Sequence, residues 1–292
     1  MNCPFLKEAR VKSCDKSAFR KMIPIAGNVA QETCSSPRYE QCAVYASYAE
    51  EAQNEQCLPQ CPYLRESVAQ YCAASAVSRL VPYSDPLLSR CGSDSYRYCD
   101  VYLATANPPV QAAGGSRDCT VGGIRVPTWL HYSANHMWLD AAKGGSCHFG
   151  LDAFLTRVLG TVERITFLKQ SGVHCPSAVL TVRGVDLEVV FPNPILLTAS
   201  NLYLRANPSK LTADPYGMGW LFQGVQLPGQ PPVTSGLIQG DAVLPWMERE
   251  VGRMSAFLGL VNDGGVFTPD ILPHLNREQT QRLFHEFFRG LV

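Results

Sequence analysis

Residues 3–8 read Cys3-Pro4-Phe5-Leu6-Lys7-Glu8, and residues 61–66 read Cys61-Pro62-Tyr63-Leu64-Arg65-Glu66. Each hexapeptide opens an array of four cysteines, separated by 11, 20 and 8 residues in the first array and by 11, 19 and 8 in the second. The first array contains Cys3, Cys14, Cys34 and Cys42, and the second contains Cys61, Cys72, Cys91 and Cys99. Other residues repeat in register, so the N-terminal third of the chain is a tandem duplication.

Thiols at fixed spacing either form disulfides or bind metal. The residues after Met1 include no apolar run, so we expect no signal peptide and a cytoplasmic protein. Cytoplasmic thiols stay reduced, which favours metal over disulfides. The sequence therefore predicts two metal sites, with the eight cysteines of the two arrays as ligands.

The spacing of the cysteines also bears on the identity of the metal. Structural zinc sites usually bring their ligands in close pairs, and neither array contains such a pair. Widely spaced thiolates, with proline after the first, suit a four-thiolate iron–sulfur cluster, 4Fe-4S for example. The arrays also resemble cysteine-rich iron–sulfur modules that open Cys-Pro-Phe/Tyr-Leu. We predict two iron–sulfur clusters, and two zinc ions that staple a small core are the alternative.

Composition limits the remaining function classes. The chain has 292 residues, of which 46% are apolar and only 17% are charged, with 25 basic and 25 acidic side chains. This balance gives no electrostatic argument for nucleic acid or for an anionic membrane, and no apolar stretch is long enough to span a bilayer. Low charge favours a surface covered by a protein partner, which could be a redox partner.

Local patterns predict a mixed α+β fold. Pro4 and Pro62 suit the first turn of a helix, so we expect each cysteine module to be a pair of short helices. Further along, short strands alternate with one helix, Asp152 to Leu159, and two of the strands flank a turn at 183–186. Two helices are expected near the C-terminus, and the last could pack on the β domain or dock on a partner.

These patterns divide the chain into six segments. We predict four-cysteine modules at 1–56 and 57–103, a linker at 104–127, a β domain at 128–226, a second linker at 227–239 and a helical segment at 240–292.

Residues 128–226 carry motifs of a known family. Tyr132, His136 and Trp138 are followed by Gly150-Leu151-Asp152-Ala153-Phe154 and by the octapeptide Asp214-Pro215-Tyr216-Gly217-Met218-Gly219-Trp220-Leu221. In these motifs the segment resembles the H protein of the glycine cleavage system, which has a lipoyl-domain fold. The resemblance implies a barrel-sandwich hybrid of two packed sheets.

One position departs from that family. The family carries lipoate on a lysine in a hairpin turn, and the matching stretch here, Leu180-Thr181-Val182-Arg183-Gly184, has Arg183 in its place. A guanidinium stays charged and cannot replace an amine that must be acylated. No lysine lies between Lys169 and Lys210. We therefore expect the fold to be kept and the lipoyl arm to be lost.

No local signature of a catalytic triad or dyad is present, so we expect a protein that is not an enzyme. His136 and Trp138 are interpreted as packing residues, and Cys119, Cys147 and Cys175 as isolated thiols. The predicted function is a metal-binding adaptor or electron-transfer protein, built on an H-like scaffold that has lost its lipoylation site. The alternatives are a structural zinc scaffold, a redox sensor, and an H-like carrier lipoylated at another lysine such as Lys169.

Overall fold

The computed structural model describes residues 2–17, 22–24, 31–48, 59–74, 79–81, 89–106, 119–141, 146–168, 170–258 and 271–288. The chain forms two compact units, Asn2–Asp85 and Pro86–Val292. The boundary between them lies inside the second cysteine array, between Cys72 and Cys91. Each unit is described by itself.

The N-terminal unit is built on an antiparallel sheet in which the two copies pair with each other. Its strands are β1 (Leu6–Cys14), β2 (Ile23–Pro24), β3 (Leu64–Cys72) and β4 (Arg79–Val81), in the order β2-β1-β3-β4. The register pairs Arg10 with Val68, and these two residues occupy equivalent positions in the two copies, 58 residues apart like Cys3 and Cys61. Because equivalent residues meet at the centre of the pair, a local twofold axis relates the two strands.

The prediction that each module opens with a helix was wrong. Residues 6–14 and 64–72 are strands, paired along their whole length. Val11 and Ala69 are buried at the middle of this pair. The local pattern could not reveal the pairing because the partner strand lies in the other copy, and such non-local packing overrides helix propensity.

Short helical segments follow the strands in each copy. In the first copy these are α1 (Gln31–Cys34), a 3₁₀ turn (Pro37–Gln41) and α2 (Ala43–Ser47). In the second copy the equivalent segments are a 3₁₀ turn (Asp94–Tyr98) and α3 (Asp100–Ala106), and they belong to the C-terminal unit.

The C-terminal unit contains the β domain. Its strands are β7 (His131–Tyr132), β8 (Met137–Ala141), β9 (Ser146–Leu151), β10 (Arg164–Phe167), β11 (Val173–His174), β12 (Ser177–Val182), β13 (Val185–Val190), β14 (Ile195–Ser200) and β15 (Trp220–Val225). One sheet has the order β10-β12-β13, and the other has the order β11-β14-β15-β9-β8-β7. Contact between Phe167 and Phe222, with ring centroids 5.4 Å apart, joins the two sheets across one aromatic core. The mixed sheets and helices confirm the α+β class.

Helices close the β domain at its edges. The predicted helix after Asp152 is α4 (Ala153–Leu159), where the Asp152 carboxylate accepts a hydrogen bond from the Leu155 N–H at 2.8 Å and caps the N-terminus. Gly160 ends it with a positive φ of 62°. Between β14 and β15 lie α5 (Tyr203–Ala206) and α6 (Ser209–Ala213).

The predicted linker at 104–127 is partly regular structure. Cys119–Val121 and Ile124–Val126 form a hairpin, β5 and β6, with Ile124 and Val126 buried. Residues 107–118 lie outside the described ranges. The Gly122-Gly123 pair, which reads as linker composition, instead supplies the two positive φ angles of a tight turn, 55° and 74°.

Both C-terminal helices are present and pack on the β domain. A 3₁₀ turn (Gly240–Ala242) leads into α7 (Val243–Phe257), and a second turn (Leu272–His274) precedes α8 (Arg277–Phe287). Asn276 and Gln279 form a capping box at the start of α8. Leu283, Phe287 and Phe288 belong to the buried core, so packing rather than partner docking accounts for this apolar face. Within the described ranges, no helix has the length and apolar character needed to cross a bilayer.

Candidate functional site

The opening Cys-Pro segments form equivalent tight turns before their strands. The Leu6 N–H donates to the Cys3 carbonyl oxygen at 3.0 Å, and the Leu64 N–H donates to the Cys61 carbonyl oxygen at the same distance. Both cysteines are buried, with exposed fractions of 7% and 6%. The second cysteine of each copy, Cys14 or Cys72, ends the strand that follows.

The last two cysteines of the first copy flank its 3₁₀ turn. Cys34 ends α1, and Cys42 lies between the 3₁₀ turn and α2. The Cys42 N–H donates to the Tyr39 carbonyl oxygen at 2.9 Å, and the Ala46 N–H donates to the Cys42 carbonyl oxygen at 2.9 Å. The second copy repeats this geometry, because the Cys99 N–H donates to the Tyr96 carbonyl oxygen at 3.0 Å.

Four thiols of the N-terminal unit are electrostatic neighbours. Burial raises the pKa of the Cys34 thiol, and the thiols of Cys61, Cys42 and Cys14 raise that pKa further. Burial also raises the pKa of Cys61; Cys14 and Cys42 add to that rise, while the N–H groups of Tyr63 and Leu64 lower the pKa by hydrogen bonding to its sulfur. All four cysteines are reduced thiols. Three come from the first copy and one from the second.

The other predicted ligands lie elsewhere in the two units. Cys3 and Cys72 belong to the N-terminal unit, whereas Cys91 and Cys99 belong to the C-terminal unit. Among the residues that the structure describes, no group of three or more His, Cys, Asp or Glu side chains is already arranged to hold a metal ion.

Cys147 illustrates a thiol with a packing role. It lies on β9 with an exposed fraction of 1%, and its Sγ donates to the Gly224 carbonyl oxygen at 3.4 Å. Burial raises the pKa of this thiol to about 12, so it stays protonated and unreactive.

Arg183 occupies the tip of the hairpin between β12 and β13. The strands pair in register from Ser177↔Val190 to Val182↔Val185, which leaves Arg183 and Gly184 as a two-residue loop. Both have positive φ, 51° and 72°, as a type I′ turn requires. The predicted turn at 183–186 is therefore confirmed in its position and is two residues shorter.

The chain's own C-terminal segment contacts this hairpin tip. The Arg183 guanidinium Nη1 donates to the Leu272 carbonyl oxygen at 3.1 Å. Hairpin and C-terminal segment line an open groove of about 880 Å³, with Leu187, Leu275 and Phe284 among its apolar walls. Residue 183 is therefore held against the protein body through a contact that a freely swinging arm would not make.

His136 lies at the centre of a buried polar cluster. It has a positive φ of 62° and no exposed surface. Its Nδ1 lies 2.8 Å from Asp152 Oδ2, and its Nε2 lies 3.6 Å from Glu250 Oε2. Phe154 stacks on the ring with centroids 4.2 Å apart. The prediction that His136 and Trp138 are packing residues is confirmed by their burial, but sequence reasoning missed both carboxylate partners.

The charge state of this cluster follows from its geometry. Burial lowers the pKa of His136, but Asp152 and Glu250 outweigh that effect and raise the pKa above its ordinary value. Burial likewise raises the pKa of Glu250, but His136 and Arg253 together bring that pKa below its ordinary value. In this cluster the imidazole lies between two carboxyl groups, and both of them favour its charged form. The cluster joins α7 to the β domain and has no opening to solvent at His136.

Comparison with known proteins bears on the β domain. No family model matches the chain. The glycine cleavage system H protein of Mycobacterium leprae is 29% identical over 101 residues, covering 33% of this chain and 75% of the relative. That of Aeromonas hydrophila is 27% identical over 101 residues (34% and 78%), and that of Neisseria gonorrhoeae is 28% identical over 125 residues (40% and 88%).

The chain also aligns with a solved structure, at a low TM-score. A glycine cleavage system H protein from Mycobacterium marinum aligns with a TM-score of 0.36 and 18% identity, over 43% of this chain and 99% of that chain. The sequence relatives confirm the resemblance to the H-protein family predicted from the motifs. About a hundred residues of this chain are similar in sequence to glycine cleavage system H proteins.

Proposed function

We propose that this protein is a non-enzymatic, metal-binding adaptor built on an H-protein-like scaffold that no longer carries lipoate. The proposal rests on the match, predicted from the sequence, of Arg183 to the family's lipoyl-lysine position. It is supported by the hydrogen bond that the Arg183 guanidinium donates to the Leu272 carbonyl oxygen at 3.1 Å. A guanidinium does not provide the deprotonated amine that acylation needs. The scaffold is then a rigid surface for a protein partner.

The cysteine arrays supply the metal-binding part of this proposal. The neighbouring thiols in the N-terminal unit could turn toward one ion or cluster, since rotation about χ1 moves a sulfur without moving the backbone. Their pKa values are raised partly by one another, which is the repulsion that a bound cation would relieve. In a reducing compartment such as the cytoplasm, these thiols stay available as ligands.

An iron–sulfur cluster is the metal centre that we favour for these ligands. Soft thiolate ligands without close ligand pairs suit a cluster, which would let the adaptor pass electrons to or from its partner or sense redox state. Zinc on the same ligands would make the protein a structural scaffold without a redox role.

A lipoyl carrier is the second candidate function, because the relatives of the β domain are named glycine cleavage system H proteins. The candidate needs a lysine other than residue 183. Lys169 was considered from the sequence and lies outside the described residues.

Intact-mass spectrometry separates adaptor from carrier. The protein is produced in lipoate-fed cells that lipoylate a control H protein, beside the Arg183→Lys variant. We expect no lipoyl adduct on the unsubstituted protein, whatever the variant does. A stoichiometric adduct on any lysine of the unsubstituted protein would contradict the adaptor proposal and establish the carrier. An adduct on the variant alone would show that this one residue accounts for the loss of the arm.

A further inference from the structure

The pairing of β1 with β3 separates two cysteines that the sequence groups in one array. Cys14 ends β1, and Cys3 precedes the start of that strand at Leu6. Strands rise about 3.3 Å per residue, so Leu6 and Cys14 lie roughly 26 Å apart. Thiolates on one metal ion lie within about 5 Å of each other, since a zinc–sulfur bond is about 2.3 Å long. Cys3 and Cys14 therefore cannot ligate the same ion.

The same pairing brings the second copy's first cysteine to Cys14. Cys14 pairs with Leu64 in the register, and the Asp15 N–H donates to the Tyr63 carbonyl oxygen at 3.0 Å. Arg65 Nε and Asp15 Oδ2 lie 2.8 Å apart at the same end of the sheet. Cys61 closes the tight turn that leads directly into this pairing.

Cys61 also contacts the segment that carries the remaining cysteines of the first copy. The Cys61 N–H donates to the Cys34 carbonyl oxygen at 2.8 Å. Tyr63 lies against Tyr45 and Tyr48, with ring centroids 5.9 and 6.4 Å apart, and its hydroxyl donates to the Tyr48 carbonyl oxygen at 2.9 Å. These contacts hold the second copy's Cys-Pro-Tyr-Leu turn between Cys34 and the helix that follows Cys42.

We infer that the first metal site is shared between the copies, with Cys14, Cys34 and Cys42 of the first copy and Cys61 of the second as its four ligands. Cys61 replaces Cys3, which the cysteine spacing alone would group with Cys14, Cys34 and Cys42. The inference rests on the metal-binding function proposed above and adds the ligand set. The site accepts a thiophilic metal ion or an iron–sulfur cluster.

Two lysines lie on segments that neighbour these cysteines. Lys12 Nζ lies 3.4 Å from Ser35 Oγ, next to Cys34 in the chain, and 3.2 Å from Glu66 Oε1. Lys16 Nζ, two residues after Cys14, lies 4.8 Å from the centre of the Tyr48 ring and 5.6 Å from that of the Tyr63 ring. A divalent ion with four thiolates carries a net charge of −2, which nearby ammonium groups stabilise.

The sharing can be tested by measuring how Zn²⁺ protects individual cysteines from alkylation. The full chain, reduced and metal-free, is alkylated with and without Zn²⁺, and each cysteine is quantified by peptide mass spectrometry. The matched variants are Cys61→Ser and Cys3→Ser, which alter equivalent positions with nearly equal burial. We expect protection of Cys34 and Cys42 to be lost in Cys61→Ser and kept in Cys3→Ser.

The opposite pattern, with protection kept in Cys61→Ser and lost in Cys3→Ser, would overturn the shared site while leaving the metal function intact. Absence of Zn²⁺ protection at every cysteine of the unsubstituted protein would overturn the metal function itself. A double variant, Cys34→Ser with Cys42→Ser, covers the case in which Cys61→Ser fails to fold. In that variant we expect Cys61 to lose its Zn²⁺ protection, and protection kept at Cys61 would contradict the inference.

Discussion

At the residue scale, His136 shows how burial and charge decide the behaviour of one side chain. Its imidazole has no exposed surface and lies between Asp152 and Glu250. Removing one partner of such a cluster leaves a buried charge uncompensated, which costs about 3–5 kcal/mol. The cluster therefore binds α7 to the β domain by electrostatics as well as by packing.

This cluster predicts a pH dependence of stability. The raised pKa of His136 means that its contribution is fully present below its ordinary pKa of 6.5 and is lost as pH rises through the folded-state value. The lowered pKa of Glu250 means that its contribution is present above 4.5 and is lost as pH falls through the folded-state value. The free energy of unfolding, measured by denaturant titration across this range, should fall on both sides.

The His136→Gln variant isolates the imidazole. We expect it to lower the free energy of unfolding near neutral pH and to remove most of the decline on the alkaline side. His285→Gln, at an exposed position of α8, is the matched control and should change stability by less than about 0.5 kcal/mol. An unchanged alkaline decline in His136→Gln would show that other groups cause it.

At this scale the sequence predicts a property when the residue type alone decides it, and not when the property depends on spatial neighbours. Arg183 could be identified as the wrong residue for lipoylation because a guanidinium excludes acylation in any fold. The partners of His136 could not be identified, because Asp152 and Glu250 lie 16 and 114 residues further along the chain. Only the packing of α7 on the β domain brings Glu250 to the ring.

At the element scale, β1 and β3 define the N-terminal unit. The same pairing that made the helix prediction wrong also decides which cysteines can meet. Two residues of this pair differ sharply in burial, since Val11 has an exposed fraction of 4% and Val68 one of 52%.

These two valines test the strand pairing. Val11→Thr places a hydroxyl in the buried face and should destabilise the N-terminal unit by about 1–3 kcal/mol. Val68→Thr makes the same chemical change on the open face and should cost less than about 0.5 kcal/mol. Hydrogen exchange of the amides in residues 6–14 and 64–72 reports the effect locally. Equal effects of the two substitutions would contradict the observed faces of the pair.

The hairpin that carries Arg183 offers a second test at this scale. Gly184 has a φ of 72° and nothing within 4 Å of an added Cβ, so Gly184→Ala is penalised by backbone conformation alone, about 1–2 kcal/mol. Gly252 in α7 also has open space for a Cβ, and Gly252→Ala should stabilise the protein by about 0.5–1 kcal/mol. Thermal and denaturant unfolding measure both. A neutral Gly184→Ala would contradict the type I′ turn.

At the scale of the whole molecule, the sequence predicts features that local motifs carry better than contacts between distant segments. The duplication, the H-like segment and the C-terminal helices are each written in local motifs, and the helices and strands of the β domain fall near their predicted positions. The cysteine modules are different, because their grouping depends on how one copy pairs with the other. The array spacing predicts eight ligands but not which four share a site.

The architecture joins two compact units with different chemical roles. The N-terminal unit concentrates thiols around a twofold-related strand pair. The C-terminal unit contains an H-like β domain in which Arg183 contacts Leu272 of its own chain. The proposed adaptor function therefore depends on the sites and not on the fold alone.

The central claim is that this H-like protein has lost its lipoyl arm and instead binds metal through the cysteines of its N-terminal arrays. The most direct measurement is the iron, acid-labile sulfide and zinc content per chain of protein purified without oxygen, together with its visible absorption spectrum. The account predicts a brown protein whose iron and sulfide contents correspond to about two clusters per chain. A colourless protein with about two zinc ions would keep the metal but remove the redox role. A protein that binds neither iron, sulfide nor zinc would contradict the central claim.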